Sequence, residues 1–174
     1  KRIEFGGMRM MNDEILRING FEIVEDGFDQ DKNKYYEGIF TQGNGYFHVR
    51  GSFEEGLADA PQNEVYTRTM KSVTTEQQRH PLSKQGTFLP LMMGKHPFLE
   101  EVIINLPYFM RIEIAAGNEK LDMIRSDIRD YRRVLNMKTG ELTRSFTWIT
   151  ASGEEIDVKF SRFASLDEKR LFVQ

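Results

Sequence analysis

From residue 15 onward the chain alternates single apolar and polar positions, broken at short intervals by Gly and Asn. A period of two marks strands with one buried and one wet face, and the breaks read as turns. In Arg111-Ile112-Glu113-Ile114 the two Ile side chains share a face, which predicts a strand there. Ile156, Val158 and Phe160 alternate with Asp157, Lys159 and Ser161. Leu142, Phe146 and Trp148 share another face, interrupted by Arg144. Four turn signals join such segments: Asn19-Gly20, Asn44-Gly45 between Ile39-Phe40 and Tyr46-Phe47, Lys138-Thr139-Gly140, and Ser152-Gly153. No window of helical period competes; the nearest, Glu119 to Arg133, would give only a short helix. The pattern predicts an all-β chain folded as an antiparallel β-sandwich.

Two stretches depart from this rhythm. Residues 1–14 show no period, so residues 1–20 read as a tail or first strand ahead of a sandwich domain over 21–174. Residues 56–96 hold Pro61, Pro81 and Pro90 among many Gln, Thr, Ser and Lys. Connections beyond ~12–15 residues are uncommon inside compact domains. An excursion from the sandwich is expected here, with one strand around Thr87 to Met92.

Composition narrows the classes of function. With 174 residues and 39% hydrophobic side chains, including 13 Phe and 9 Met, the chain can build one substantial core. It has no Cys, which removes disulfides, thiolate metal sites and a thiol nucleophile, and fits a cytoplasmic location. A net charge of −3 argues against a nucleic-acid partner. No apolar run is long enough to cross a membrane, and the opening seven residues lack a signal-peptide core. The first residue is Lys1, which suggests a processed or excised piece.

Four blocks, in order, resemble glycoside hydrolase family 65, the family of maltose, trehalose and kojibiose phosphorylases. The first is Phe40-Thr41-Gln42-Gly43-Asn44-Gly45-Tyr46-Phe47-His48-Val49-Arg50-Gly51 with Phe53-Glu54-Glu55-Gly56. Ile104-Asn105-Leu106-Pro107 is the second. Asp130-Tyr131-Arg132-Arg133-Val134-Leu135-Asn136-Met137, continued by Gly140-Glu141-Leu142-Thr143-Arg144-Ser145-Phe146, is the third, and Arg162-Phe163-Ala164-Ser165-Leu166 the fourth. His48, Asn136 and Phe21 stand where the family commonly has Gly, Asp and Trp. The resemblance implies an N-terminal sandwich of the galactose-mutarotase-like supersandwich type, here incomplete and ending before the helical barrel. In that family the barrel carries the general acid and binds phosphate as co-substrate. The chain would then be a non-catalytic support for the barrel that acts on an α-linked disaccharide. The alternative is a stand-alone carbohydrate-binding or interaction module, using exposed aromatics such as Tyr66 or Tyr108.

The residues themselves add few candidates for chemistry. Glycoside cleavage needs suitably separated carboxyl groups, or one acid and a bound phosphate. The adjacent pairs Glu54-Glu55 and Glu154-Glu155 read as solvated surface, because neighbours on a strand point to opposite faces. Arg50 and the group Asp130, Arg132, Arg133 and Arg144 could clamp phosphate or sugar, but read better as partners of nearby acids. Arg50, Tyr66 and His96 remain the candidates for sugar contact. His48, His80 and His96 have no metal-ligand spacing, and no metal or cofactor is expected. Asp29-Gln30-Asp31-Lys32-Asn33 reads as a polar turn and not a calcium loop, and Trp148 as core. Strand edges and apolar faces near Leu171-Phe172-Val173 suggest self-association.

Overall fold

The computed structural model describes residues 15–56, 83, 86–95 and 101–174. The long alternating segments do become strands. β1 (Leu16–Asn19), β2 (Glu22–Asp26), β9 (Asp127–Asn136), β10 (Glu141–Ile149), β11 (Glu155–Ala164) and β12 (Phe172–Val173) form one six-stranded antiparallel sheet in that order. β3 (Gln42–Gly43), β4 (His48–Val49), β5 (Thr87–Gly94) and β6 (Val102–Asn105) form a second. β7 (Ala115–Ala116) and β8 (Glu119–Lys120) are a short hairpin. The expected all-β, antiparallel sandwich-like fold is therefore present, including the strand in the 87–92 region.

The turn residues do what their backbone requires. Gly20 has φ +61° and is the first of two residues linking Asn19 to its partner Glu22. Gly45, Gly140 and Gly153 also have positive φ, but in loops of four or five residues. One irregularity inside a strand sets the core. Between Ser145 and Thr147 the β9–β10 register shifts, and Asp130 sits at φ +52°. The extra residue is a bulge that resets the side-chain phase. It lets Ile128 pack inward and Tyr131, Arg133 and Leu135 pack inward too, which strict alternation forbids. The central core is Phe53, Leu121, Met123, Tyr131, Phe146, Trp148, Val158 and Phe160.

Several sequence expectations fail. One is that no helix competes with the strands: the nearest window, 119–133, indeed holds β8, a turn and the start of β9, but a helix forms elsewhere. It is α1 (Gln30–Ile39). Asp29, read as part of a polar turn, is its N-cap and accepts from the amides of Asp31 (3.0 Å) and Lys32 (3.4 Å). The buried stripe of α1 is Asn33, Tyr36, Glu37 and then Phe40, spaced i, i+3, i+4, i+7. Two of those four are polar, so the apolar period was masked. Phe40, expected at a strand end, is the C-cap. The predicted strand at Arg111 to Ile114 is also missing: that segment is irregular, with Ile112 39% exposed. Its backbone bonds go to scattered partners: Ile112 N donates to Glu54 O and Ile114 O accepts from Leu121 N, both at 3.0 Å.

The first motif block ties the sheets together through side-chain amides. Gln42 Nε2 donates to the carbonyls of Gly140 (2.6 Å) and Arg162 (3.0 Å). Asn44 Nδ2 donates to those of Ser165 (2.7 Å) and Lys169 (3.0 Å), while Asn44 Oδ1 accepts from the Tyr46 and Phe47 amides. Asn44 thus closes its own loop and holds the turn after β11.

Candidate functional site: a buried arginine–glutamate cluster

Three arginines project from adjacent strands onto the inner face of the large sheet: Arg133 on β9, Arg144 on β10 and Arg162 on β11. Their exposures are 1%, 3% and 2%. Arg144 lies directly opposite Arg133 in the register, a like-charge pairing that needs counter-ions to be tolerated. Glu25 on β2, opposite Arg133, is one such counter-ion and accepts from Arg133 Nε at 2.6 Å. The others come from the turn at Glu54-Glu55. Arg144 Nη2 donates to Glu54 Oε2 (2.8 Å), and Arg144 grips both oxygens of Glu55, with Nη1 to Oε1 at 2.8 Å. Arg162 Nη1 pairs with Glu54 Oε1 at 2.9 Å.

The same arginines also bond the backbone of residues 50–52. Arg133 Nη1 donates to Gly51 O (2.8 Å), and Arg162 Nη1 and Nη2 donate to Ser52 O (3.0 Å) and Arg50 O (3.5 Å). Gly51, Ser52, Phe53 and Glu54 are buried yet belong to no strand. Buried carbonyls need donors, and no neighbouring strand supplies them here. The guanidinium groups take that place. Aromatic faces complete the packing: the Arg144 guanidinium carbon lies 4.4 Å from the Phe53 ring centre and 4.6 Å from that of Phe160. Gly51 is required because a Cβ would sit 2.6 Å from Phe40 Cβ and 3.0 Å from Phe40 O.

The electrostatics divide the carboxylates. Burial alone would raise the Glu54 carboxyl, but Arg144 and Arg162 outweigh it and hold Glu54 below the usual range. At Glu25 burial wins, and the carboxyl stays above the usual range although Arg133 and Tyr131 pull it down. Burial opposes the charge on Arg144, yet Glu55 and Glu54 overcome it and push Arg144 up. A depressed folded-state value means that Glu54 contributes stability above its unfolded value near about 4.3, lost as pH falls through the folded value. Glu54→Gln should cost about 2 kcal/mol at neutral pH. Its urea-unfolding deficit relative to wild type should shrink as pH drops from about 7 to about 3. Glu25, with the opposite sign, is present in both proteins and cancels. A deficit that does not vary with pH would remove Glu54 as a charged partner of Arg144 and Arg162.

The expectation that Glu54 and Glu55 are solvated is overturned, since their side chains are 4% and 2% exposed. Both lie in a turn, where neighbouring side chains can converge. Glu154 and Glu155 are exposed as expected. The expectation that Arg132, Arg133 and Arg144 pair with acids holds, with Arg132 on Asp26 at 2.9 Å; Asp130 serves as the bulge. Arg50 donates to Lys34 O at 3.0 Å and lies 3.9 Å from Glu37, so it braces α1. Tyr66, His80 and His96 lie outside the described residues. Tyr108, a candidate sugar platform, spends its hydroxyl on Phe53 O at 2.7 Å. Sequence reasoning missed Glu25, Glu54, Glu55 and Arg162. The available signal was that each Arg or Glu interrupts an otherwise apolar inward face or motif. Among the described residues no group of three or more His, Asp or Glu side chains could hold a metal ion, and no helix is long and apolar enough to cross a membrane.

Three of the four blocks singled out in the sequence meet at this cluster, while Asn105 and Leu106 of the remaining block bond Thr87 on β5. Residues 23–174 match the family described as "Glycosyl hydrolase family 65, N-terminal domain". The chain belongs to this family. It is 29% identical over 90% of its length to an alpha,alpha-trehalose phosphorylase of Thermoanaerobacter brockii, covering 19% of that protein. It is 28% identical over 93% of its length to a maltose phosphorylase of Bacillus subtilis, covering 20%. A kojibiose phosphorylase of Halothermothrix orenii is 26% identical over 83% of the chain, which covers 16% of that relative. A solved structure described as a kojibiose phosphorylase from the human microbiome superposes with a TM-score of 0.65 over 87% of the chain and 19% of its own, at 24% identity. That likeness shows the two chains to share a fold over these residues. The chain spans about a fifth of the length of these relatives.

Proposed function

We propose that this family 65 domain is a non-catalytic scaffold of a cytoplasmic α-glucoside phosphorylase or hydrolase, supporting a catalytic domain that lies outside these residues. The observation that carries this reading is how the cluster's charges are spent. Arg133, Arg144 and Arg162 are directed at Glu25, Glu54 and Glu55, whose side chains are at most 4% exposed, and at the carbonyls of residues 50–52. A substrate phosphate or sugar would have to displace partners already desolvated with them, which costs several kcal/mol per ion. Such a cluster orders a fold rather than binding a ligand. In the intact enzyme the disaccharide and phosphate would be held by another domain.

The test is direct. Incubated with maltose, trehalose or kojibiose plus inorganic phosphate, the 174-residue chain should release no glucose 1-phosphate; release would overturn the scaffold reading. The rival, a stand-alone sugar-binding module, predicts saturable heat on titration with those disaccharides at millimolar concentration. The Tyr108 hydroxyl, committed to the backbone, does not favour that rival.

A further inference from the structure

Asn-Gly occurs twice in the chain, at Asn19-Gly20 and at Asn44-Gly45. Asn is a thermolabile residue, and glycine after it has no Cβ to keep its amide nitrogen away from the Asn side chain. The fold treats the two dipeptides differently. Asn44 is held by four bonds: Nδ2 donates to Ser165 O (2.7 Å) and Lys169 O (3.0 Å), and Oδ1 accepts from the amides of Tyr46 (3.1 Å) and Phe47 (3.2 Å). Among the described residues the Asn19 side chain has no hydrogen-bond partner, and neither has Gly20 N. Gly45 N is also without one, so the side chains make the difference.

We propose that Asn19 is a modification site at which the chain rewrites its own backbone to isoaspartate and frees β1 from the large sheet, while Asn44 is protected by its bonds. Gly20 N attacks Asn19 Cγ, and the new bond closes a succinimide ring. The Cγ–Nδ2 bond breaks, and Nδ2 leaves as ammonia with the proton that Gly20 N gives up. Water then opens the ring. Cleavage at Cγ leaves aspartate. Cleavage at the main-chain carbonyl leaves isoaspartate, whose main chain runs through Cβ and Cγ and is one methylene longer.

The place of Asn19 in the fold gives the longer product its effect. Asn19 pairs with Glu22 across a connection of two residues, Gly20 and Phe21. In so short a hairpin the loop fixes the register, and an added backbone atom displaces every residue before it. Among the described strands β1 has one neighbour, β2, so no second partner holds it in register. Ile15 and Leu16 pack against the Tyr36, Phe40 and Leu142 group, and Ile15 O accepts from Asp26 N at 2.9 Å. All of these contacts depend on the register. Aspartate keeps the backbone length and leaves them in place.

The test is to incubate the 174-residue chain in mildly alkaline buffer made with heavy-oxygen water, then to digest it with trypsin in ordinary water. Cleavage after Arg17 and Lys32 isolates Asn19, and cleavage after Lys34 and Arg50 isolates Asn44, each as the single Asn of its peptide. Heavy oxygen should enter at Asn19 about tenfold or more faster than at Asn44, since breaking one or two of the Asn44 bonds costs that factor. In urea the two rates should converge. Amide hydrogen exchange of the aged chain should show a population with residues 15–19 unprotected, matching in size the isoaspartate share of the Asn19 peptide. Freshly prepared Asn19→Asp should keep that protection. Equal rates in the folded chain, rates that stay apart in urea, or isoaspartate without loss of protection in β1 each overturns the proposal.

Discussion

Replacing Arg144 by Met is expected to cost the folded chain about 3–5 kcal/mol, read as a drop in the urea midpoint at neutral pH. The substitution keeps most of the side-chain bulk among Phe53, Phe146 and Phe160 but removes the charge. Glu55 would lose both its bonds and Glu54 one of its two arginines, leaving carboxylates buried without enough compensation. Small domains are stable by only about 5–15 kcal/mol, so a loss of this size moves the variant close to unfolding. The partner substitutions decide what kind of interaction this is. Adding Glu54→Gln and Glu55→Gln removes the stranded charges and should recover a large part of the loss, because replacing a whole buried ionic group is often near neutral. A single Arg144→Met variant within 1 kcal/mol of wild type would mean that the cluster does not hold the 50–55 segment.

Trp148→Ala should be comparably severe, about 3–5 kcal/mol, through a cavity in the central core. Trp148 is fully buried, opposite Ile128 on β9 and Ile156 on β11, so the void would open across three strands. Far-UV circular dichroism is the suitable probe, because Trp148 is the only Trp and its fluorescence goes with it. Its ring nitrogen makes no hydrogen bond among the described residues. Trp148→Phe should therefore cost far less than Trp148→Ala. Equal losses for the two would show that the indole N–H matters more than ring volume.

Much of the sheet framework was legible along the chain. Leu142, Phe146, Trp148, Ile156, Val158 and Phe160 alternate with polar residues, broken only at Arg144, because β10 and β11 pair with each other over nearly their whole length. The family assignment was legible too, through four short blocks. The role of those blocks was not. Glu54 and Glu55 look solvated to any rule that assumes a strand, and only the turn there lets both reach Arg144. Helix α1 escaped because Asn33 and Glu37 occupy half of its buried stripe.

Local pattern determined which segments are strands, where they turn, and that Arg144 breaks an apolar face, because side-chain period and turn geometry are properties of neighbouring residues. Tertiary structure alone decided that Arg133, Arg144 and Arg162 would meet Glu25, Glu54 and Glu55. Those partners are separated by as many as 108 residues, and a buried charge is tolerable only where folding brings its counter-ion within bonding distance.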